Sequence, residues 1–465
     1  MSNSAGLERA AHNVLARSLG LRRDQNLLIF ADVNSLPVAD LLVEQSHQLN
    51  VSVSVIYVPL TAQSAIGPNE TLPLPVESAI READAVLSCL SDRPADTAYR
   101  LRVLRSAWNR RTKLAHAPGL TLSILRMADT DYGLIADRCQ QLAQAFILGR
   151  QMEITTEDTR GQKYRLQVTL DGRNYPPGIS DGVIPDGAWA NLPPGETYAV
   201  PRDARGQIAI NGSVPGRLLV AGEALVLTFR DGRVAGMEPQ ESHVVRHLMH
   251  TQIAYAEGRG DPHWRNFAEV GFGVNPAIKR LAGIALLDSK MSHTMHVALG
   301  HSASLGGDVE SAIHCDLIAR EPTVTLDGKP IFDRGQWRLN VTDWRPDIAT
   351  DAAPELWQRS LTQVQRSGLR VAQGDNSQGT ASSGRLLYTW NDGRGRWNTM
   401  PVGSDLTARL AARLYDLLPE GGGVISLPEL LHQAESAAIE PEQVIRLLWA
   451  LRRFDLIRAP GESGG

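Results

Sequence analysis

The segment Ile313-His314-Cys315-Asp316 holds the densest ligand chemistry in the chain. In a β-strand alternate residues share a face, so His314 and Asp316 project together while Cys315 points away, with Ile313 and Leu317 on the buried side. One imidazole and one carboxylate on one face make half a site for a divalent first-row metal; they equally make an ordinary hydrogen-bonded surface pair. A second piece is Thr294-Met295-His296-Val297-Ala298-Leu299-Gly300, which sets His296 among apolar neighbours. His296 is either a satisfied core histidine or, across a tight connection through Gly306-Gly307, a partner that an adjacent strand presents to the same point as His314. His293 lies three residues from His296, hence on the opposite strand face, and His301 lies past the turn.

Two acids sit in unusual settings. Glu196 follows the proline-stiffened run Asn191-Leu192-Pro193-Pro194-Gly195 and precedes Thr197-Tyr198-Ala199-Val200. Glu269 is the one carboxylate in the small and apolar stretch Phe267-Ala268-Glu269-Val270-Gly271-Phe272-Gly273. A buried unpaired carboxylate is costly, so each requires a cation, either a metal or an arginine. For Glu269, Arg265 is the nearest such arginine in sequence. His243, His247 and His250 recur at helical spacing, but Val244-Val245-Arg246 follows where a zinc-protease helix would place its glutamate, so a helix face packed on a neighbour is the expected reading.

These residues belong to a local concentration. Of the twelve histidines, eight fall between His243 and His314, where even spacing would place about two. The rest of the composition is that of an ordinary globular chain: 465 residues, 43% hydrophobic, and 47 basic against 51 acidic residues for a net charge of −4. That balance nominates no nucleic-acid partner. Cys89, Cys139 and Cys315 are far apart with no C-x-x-C pair, which excludes a disulfide framework and a cysteine zinc site. No segment has the run of about 18 apolar residues that crosses a bilayer, and the first residues lack a basic region followed by an apolar one, so a cytoplasmic protein is expected.

The elements that must position the site follow from the patterning. From Gln25 the chain alternates an apolar run (Asn26 to Phe30), a helical stretch (Val38 to Leu49) and a β-branched run (Val51 to Val58), which is a βαβ unit. Strands near Ala85 and Lys113 and a long helix from Tyr132 to Leu148, opened by Asp129 and Asp131, complete an α/β domain over 1–150 with a largely parallel sheet. Ala31-Asp32-Val33-Asn34 replaces a glycine-rich phosphate loop after the first strand, so no nucleotide site is expected there. After Gly149, short strands ending in Asp171-Gly172, Asp231-Gly232 and Asp327-Gly328 predict a β-rich α+β domain over 151–345 that carries the candidate metal site.

Residues 346–385 connect onward and include a flexible polar stretch at 373–384. Over 386–465 the order helix from Ser404, strand at Val424-Ile425, helix opened by Ser426 with Pro428, helix from Pro441 and a final strand at Phe454 to Ala459 predicts a small winged-helix-like module. Its third helix mixes Arg446, Arg452 and Arg453 with Glu442, Leu447, Leu448 and Trp449. That composition suits docking or dimerisation better than DNA.

In this order, Asn191-Leu192-Pro193-Pro194-Gly195-Glu196 with Val200-Pro201, Arg265 through Pro276, His296-Val297-Ala298-Leu299-Gly300, Gly306-Gly307 and Ile313-His314-Cys315-Asp316 resemble the aminopeptidase T family. These are leucyl-aminopeptidase-type metallopeptidases related to the 2,5-dihydroxypyridine dioxygenases. The resemblance spans roughly residues 20–335 and implies metal ligands at Glu196, Glu269, His296, His314 and Asp316, with Glu196 and Glu269 as the catalytic acids. It further implies two divalent ions, Zn, Co or Mn, sharing a bridging carboxylate, and a homodimer. Ala303 stands where the family carries a tyrosine ligand. Asp288-Ser289-Lys290 stands for its Asp-Glu-Lys, and His293-Thr294 for its Gly-Thr.

The sequence therefore yields a leading expectation of a metal-dependent aminopeptidase-like hydrolase acting on a peptide. A mononuclear Fe(II) ring-cleaving dioxygenase is the alternative, because His296, His314 and Asp316 alone make a two-histidine, one-carboxylate triad. A third reading is a metal- or peptide-binding protein with weak or no catalysis, whose work lies in the terminal module. The expected partner is a peptide substrate or partner protein, with neither membrane nor nucleic acid involved.

Overall fold

The computed structural model describes residues 2–344, except 66–70, 94–95, 108–111, 173–174, 176 and 185–186, and beyond 344 only separate pieces, the longest at 413–419 and 423–437. The amino-terminal part alternates as its sequence requires. Helix α1 (Ser2–Asn13) leads to β1 (Asn26–Ala31), α2 (Leu36–Gln48), β2 (Ser52–Tyr57), α3 (Leu60–Ala65) and α4 (Leu74–Glu82). There follow β3 (Ala85–Ser88), α5 (Thr97–Ala107), β4 (Lys113–His116), α6 (Leu122–Leu125) and α7 (Tyr132–Leu148). The expected boundaries of α7 hold. Asp131 caps it by accepting the Leu134 N–H at 3.0 Å, while Asp129 instead pairs with Arg9 at 2.8 Å.

From Gln151 the chain is mostly strands: β5 (Gln151–Glu157), β6 (Lys163–Thr169), β7 (Gly178–Ser180), β8 (Trp189–Asn191), β9 (Glu196–Ala199) and β10 (Asp203–Ile210). Next come β11 (Ser213–Val214), β12 (Arg217–Leu218), β13 (Leu225–Arg230), β14 (Arg233–Glu238), β15 (Phe267–Gly273), β16 (Thr294–Gly300) and β17 (His314–Arg320). β18 (Thr323–Leu326), β19 (Lys329–Asp333) and β20 (Gln336–Trp337) end this part.

These strands form three sheets. A five-stranded sheet in the order β2-β1-β3-β4-β8 is parallel throughout. Its inner strands are buried on both faces, as helical crossovers demand, and Leu28, Phe30, Val86 and Leu114 pack there with Tyr99 and Val103 of α5. The sheet takes its last strand, β8, from beyond residue 150. An antiparallel sheet runs β14-β13-β10-β6-β5-β18-β19-β20, and a second sheet, purely antiparallel in its pairings, runs β12-β11-β17-β16-β15-β9-β7. The result is the mixed α/β architecture that the sequence predicts.

By compactness the chain divides into Met1–Leu339 and Asn340–Gly465. In the second unit Gln363–Arg366 pairs antiparallel with both Val424–Ser426 and Ile457–Arg458. Ser426 caps the helix Leu427–Ser436 with Pro428 in its first turn, and Leu414, Leu430, Leu447 and Leu448 share a buried core. The expected linker over 373–384 and most of the helices from Ser404 and Pro441 lie outside the described residues. Among the described residues no helix is long and apolar enough to cross a membrane.

Candidate metal centre

Four neighbouring strands of the seven-stranded sheet, β9, β15, β16 and β17, carry the five expected ligands Glu196, Glu269, His296, His314 and Asp316. The register fixes their face. Ala298 of β16 lies opposite Glu269 on one side and Asp316 on the other; His296 lies opposite Gly271 and Ile318; Gly300 lies opposite His314; Gly273 lies opposite Glu196. Since alternate residues share a face, Glu196, Glu269, His296, His314 and Asp316 all project from the same side. Between them stand Gly271, Gly273, Ala298 and Gly300; Gly271 leaves room for the His296 ring, while Gly273 and Gly300 let the Lys290–Met291 and Ile313 backbone approach.

A Cβ placed at Gly271 would fall on the His296 ring, so the imidazole occupies the room a side chain would take. Gly271→Ala is expected to displace His296 and weaken metal binding about tenfold or more, in line with the loss of an orienting group, while only modestly lowering stability. Metal titration of the variant checks this.

The distances define a chain of contacts centred on Glu269. Its Oε1 accepts from His296 Nε2 at 3.0 Å, and its Oε2 lies 3.1 Å from His314 Nε2. The same His314 nitrogen is 3.1 Å from Asp316 Oδ1, which nevertheless has no aligned hydrogen bond. His314 Nδ1 donates to the His301 carbonyl at 2.8 Å, so the ring keeps at most one proton for two carboxylate oxygens. A metal-ligating histidine is commonly oriented in this way by its far nitrogen. Glu269, His314 and Asp316 each offer an atom within 4.8 Å of the others, a set able to hold a cation.

Burial grades along the site. His314 is 30% exposed at its side chain, Asp316 17%, Glu269 5% and His296 1%, so access is from the His314 end. With Nε2–H donated to Glu269, the buried His296 Nδ1 bears a lone pair with no partner. Orphaned acceptors beside converging carboxylates fit a positive ion of the hard or borderline kind that imidazole and carboxylate ligate. The tautomers are those the hydrogen bonds imply.

The electrostatics agree with that need for positive charge. Burial pushes the His314 ring pKa down, yet the Asp316 charge and the contacts with Asp316 and Glu269 carry it well above its usual 6.5. His296 is raised in the same way, burial being outweighed by Glu269. Glu269 and Asp316 move below the ordinary carboxylate range: burial raises each, and the facing imidazoles more than compensate. Without metal, the imidazole contribution to stability is full below the unfolded value of 6.5 and is lost as pH rises through the folded one. The carboxylate contribution is present above the unfolded values of 4.5 and 3.8 and is lost as pH falls through the lower folded ones. A metal must displace the imidazole protons, so its affinity is expected to rise with pH, with about one proton released per ion near pH 6.5. Calorimetry in buffers of differing ionisation enthalpy measures that release.

Glu196 has a different partner. Lys290 is 1% exposed, and its Nζ donates to Glu196 Oε1 at 2.8 Å and to Ser289 Oγ at 3.3 Å. The loop before Glu196 is pinned by Asn275, which donates to the carbonyls of Pro194 at 2.8 Å and Met127 at 3.2 Å. Gly195, at φ +125°, leaves space for Asn275 that no other residue would leave. Upstream, Asp288 accepts from Ser213 Oγ and from the Ala282 and Gly283 N–H groups at 2.7–2.8 Å, which fixes the connection that aims Lys290. Sequence reasoning treated Lys290 only as part of a motif. Lys290 sits between Asp288-Ser289 and Met291, a setting that gives no local signal of its burial; its pairing across 94 residues is set by the tertiary structure.

Arg265 does not pair with Glu269: its guanidinium lies 4.0 Å from the Trp264 ring centroid and reaches the Val234 carbonyl at 3.4 Å. His247 Nε2 contacts the Pro215 carbonyl at 2.7 Å and so packs on a neighbouring segment, whereas His243, which meets Arg246, and His250 are exposed. Cys315, Ile313 and Leu317 are buried opposite the site, as the alternation requires. Ala303 is buried at the start of a short turn and supplies no hydroxyl.

Fold and site together define a mixed α/β protein of aminopeptidase-T-like architecture with a candidate divalent-metal site. A 2,5-dihydroxypyridine dioxygenase from Pseudomonas putida superposes with a TM-score of 0.55 at 15% identity, covering 73% of this chain and 99% of that one. Wild-type AmpT from Thermus thermophilus superposes with a TM-score of 0.51 at 18% identity, covering 72% and 99%. At such identities the likeness is one of fold. No family model matches the sequence, and no curated protein does.

Proposed function

We propose that this protein is a metal-dependent hydrolase of aminopeptidase type, acting on peptides. The observation that carries the reading is the placement of Glu269, whose two oxygens face two different imidazoles at 3.0 and 3.1 Å. A carboxylate so placed would be the one shared between two ions. His314 and Asp316 would hold one ion at the open end, and His296 with Glu196 the other at the buried end. When bound, a pair of divalent ions such as Zn, Co or Mn polarises a scissile carbonyl and makes water nucleophilic at neutral pH. Of the chain's own residues, Glu196 and Glu269 would be the acid–base groups nearest the centre, and the Lys290 ammonium orients Glu196 by donating to its Oε1 at 2.8 Å. The half-exposed His314 edge is where a peptide amino terminus would enter, and the second unit would dock a partner or a second copy.

A second reading rests on a specific contact. Lys290 engages Glu196, which leaves Glu269, His314 and Asp316 as the compact set, with His296 beside it. A single Fe(II) there would serve an oxygenase. The deciding experiment purifies the full chain without chelator, measures bound metal, and assays amino-acid anilide hydrolysis and oxygen uptake with a dihydroxypyridine in parallel. About two Zn, Co or Mn ions with metal-dependent hydrolysis support the hydrolase. One iron with oxygen consumption overturns it in favour of the oxygenase, and a metal-free, inactive chain leaves only the binding-protein reading.

A further inference from the structure

A second cavity, of about 190 Å³, opens at the far end of β15 from Glu269, lined by Arg138, Ser292, His293, Phe332, Trp337 and Arg338 among others. Its lining touches the strands of the metal centre only at Gly273, opposite Glu196, and includes none of the five candidate ligands. Behind it lies an aromatic stack: Phe332 stacks on Phe272 at 5.2 Å, Phe272 meets Phe146 at 5.7 Å, and Trp337 stands edge-on to Phe332 at 5.6 Å. Two of its polar groups, Ser292 and Arg138, are unspent. Ser292 is 8% exposed, and its buried hydroxyl has no hydrogen-bond partner. Arg138 of α7 lies over the Trp337 ring at 5.6 Å and has no carboxylate partner among the described residues, whereas Arg338 sits 3.6 Å from Asp333. His293 Nδ1 donates to the Gly335 carbonyl at 2.9 Å, which turns its other nitrogen into an acceptor.

We propose that this cavity binds a small organic monocarboxylate with a flat apolar body. One uncompensated guanidinium matches one negative charge, and its planar fork suits a carboxylate in two-point contact. The partly exposed Trp337 ring takes the flat body, the Ser292 hydroxyl adds a donor, and a preformed concave site of this kind needs little ordering on binding. A dianion finds too little charge here, because Arg338 is already shared with Asp333.

The test titrates the full-length protein with phenylacetate, phenyl phosphate and benzylamine by calorimetry. Saturable phenylacetate binding is expected, tighter than that of phenyl phosphate, with none for benzylamine. Arg138→Gln, on a half-exposed helix position, is expected to weaken phenylacetate about tenfold or more, the loss of a charge-assisted contact. His314→Ala is expected to leave it unchanged. Equal binding by Arg138→Gln, absence of saturable binding, or loss of binding in His314→Ala would each overturn the proposal, the last by placing the ligand at the metal centre. The metal assignment stands or falls separately, by metal content.

Discussion

His314→Ala combined with Asp316→Ala is expected to abolish metal binding and any metal-dependent turnover. The pair supplies the two open-end contacts to the ion site, and Glu269 would keep only His296. Loss of orienting neighbours alone costs 10–100-fold in affinity, so removing two ligands is expected to cost more than about a thousandfold. Folding should survive, because both side chains lie towards the exposed end and Glu269 retains its hydrogen bond to the 1% exposed His296. Metal content after equilibration, read beside the thermal midpoint, is the measurement. A double variant that keeps full metal content means the ion does not sit here; one that loses metal while melting normally assigns the site.

Lys290→Met carries the second large effect. Lys290 and Glu196 form an ion pair with side chains 1% and 7% exposed, and removing one partner strands a charge in a low-dielectric setting. The expected cost is about 3–5 kcal/mol of stability for the metal-free protein, because the carboxylate must stay unpaired or take up a proton. Lys290→Met with Glu196→Gln is expected to recover most of that loss, since neither charge then remains. Metal separates the two readings of Glu196. If Glu196 serves as a ligand, divalent metal should restore stability to the single Lys290→Met variant and not to the double one. An unaltered denaturation midpoint in Lys290→Met would refute a buried pair, and metal rescue equal in both variants would remove Glu196 from the ligand set.

Much of the site was legible because strand alternation is a local rule. His314 and Asp316 on one face with Cys315 opposite, and the isolated acid in β15, follow from a period of two and from the cost of burying a charge. The capped helix at Asp131, the parallel arrangement after Gln25 and the Ser426 cap were equally local. Less legible were the partners. Arg265 is four residues from Glu269, yet its side chain stacks on Trp264; the cation for Glu196 is Lys290, 94 residues away. The parallel sheet recruits β8 from past residue 150, which no composition change marks.

The sequence by itself determined which side chains can ligate and which face of its own strand each one takes, because those properties depend on residue type and on the pleat. Only the tertiary structure decided that β9, β15, β16 and β17 are neighbours in that order, with Gly273, Ala298 and Gly300 directly opposite the ligating positions. Cross-strand register depends on pairings between segments tens of residues apart, where hydrogen bonding is the same for every residue and only the packing of the whole sheet selects one alignment. That selection sets Glu269 between two imidazoles and leaves Glu196 to a lysine.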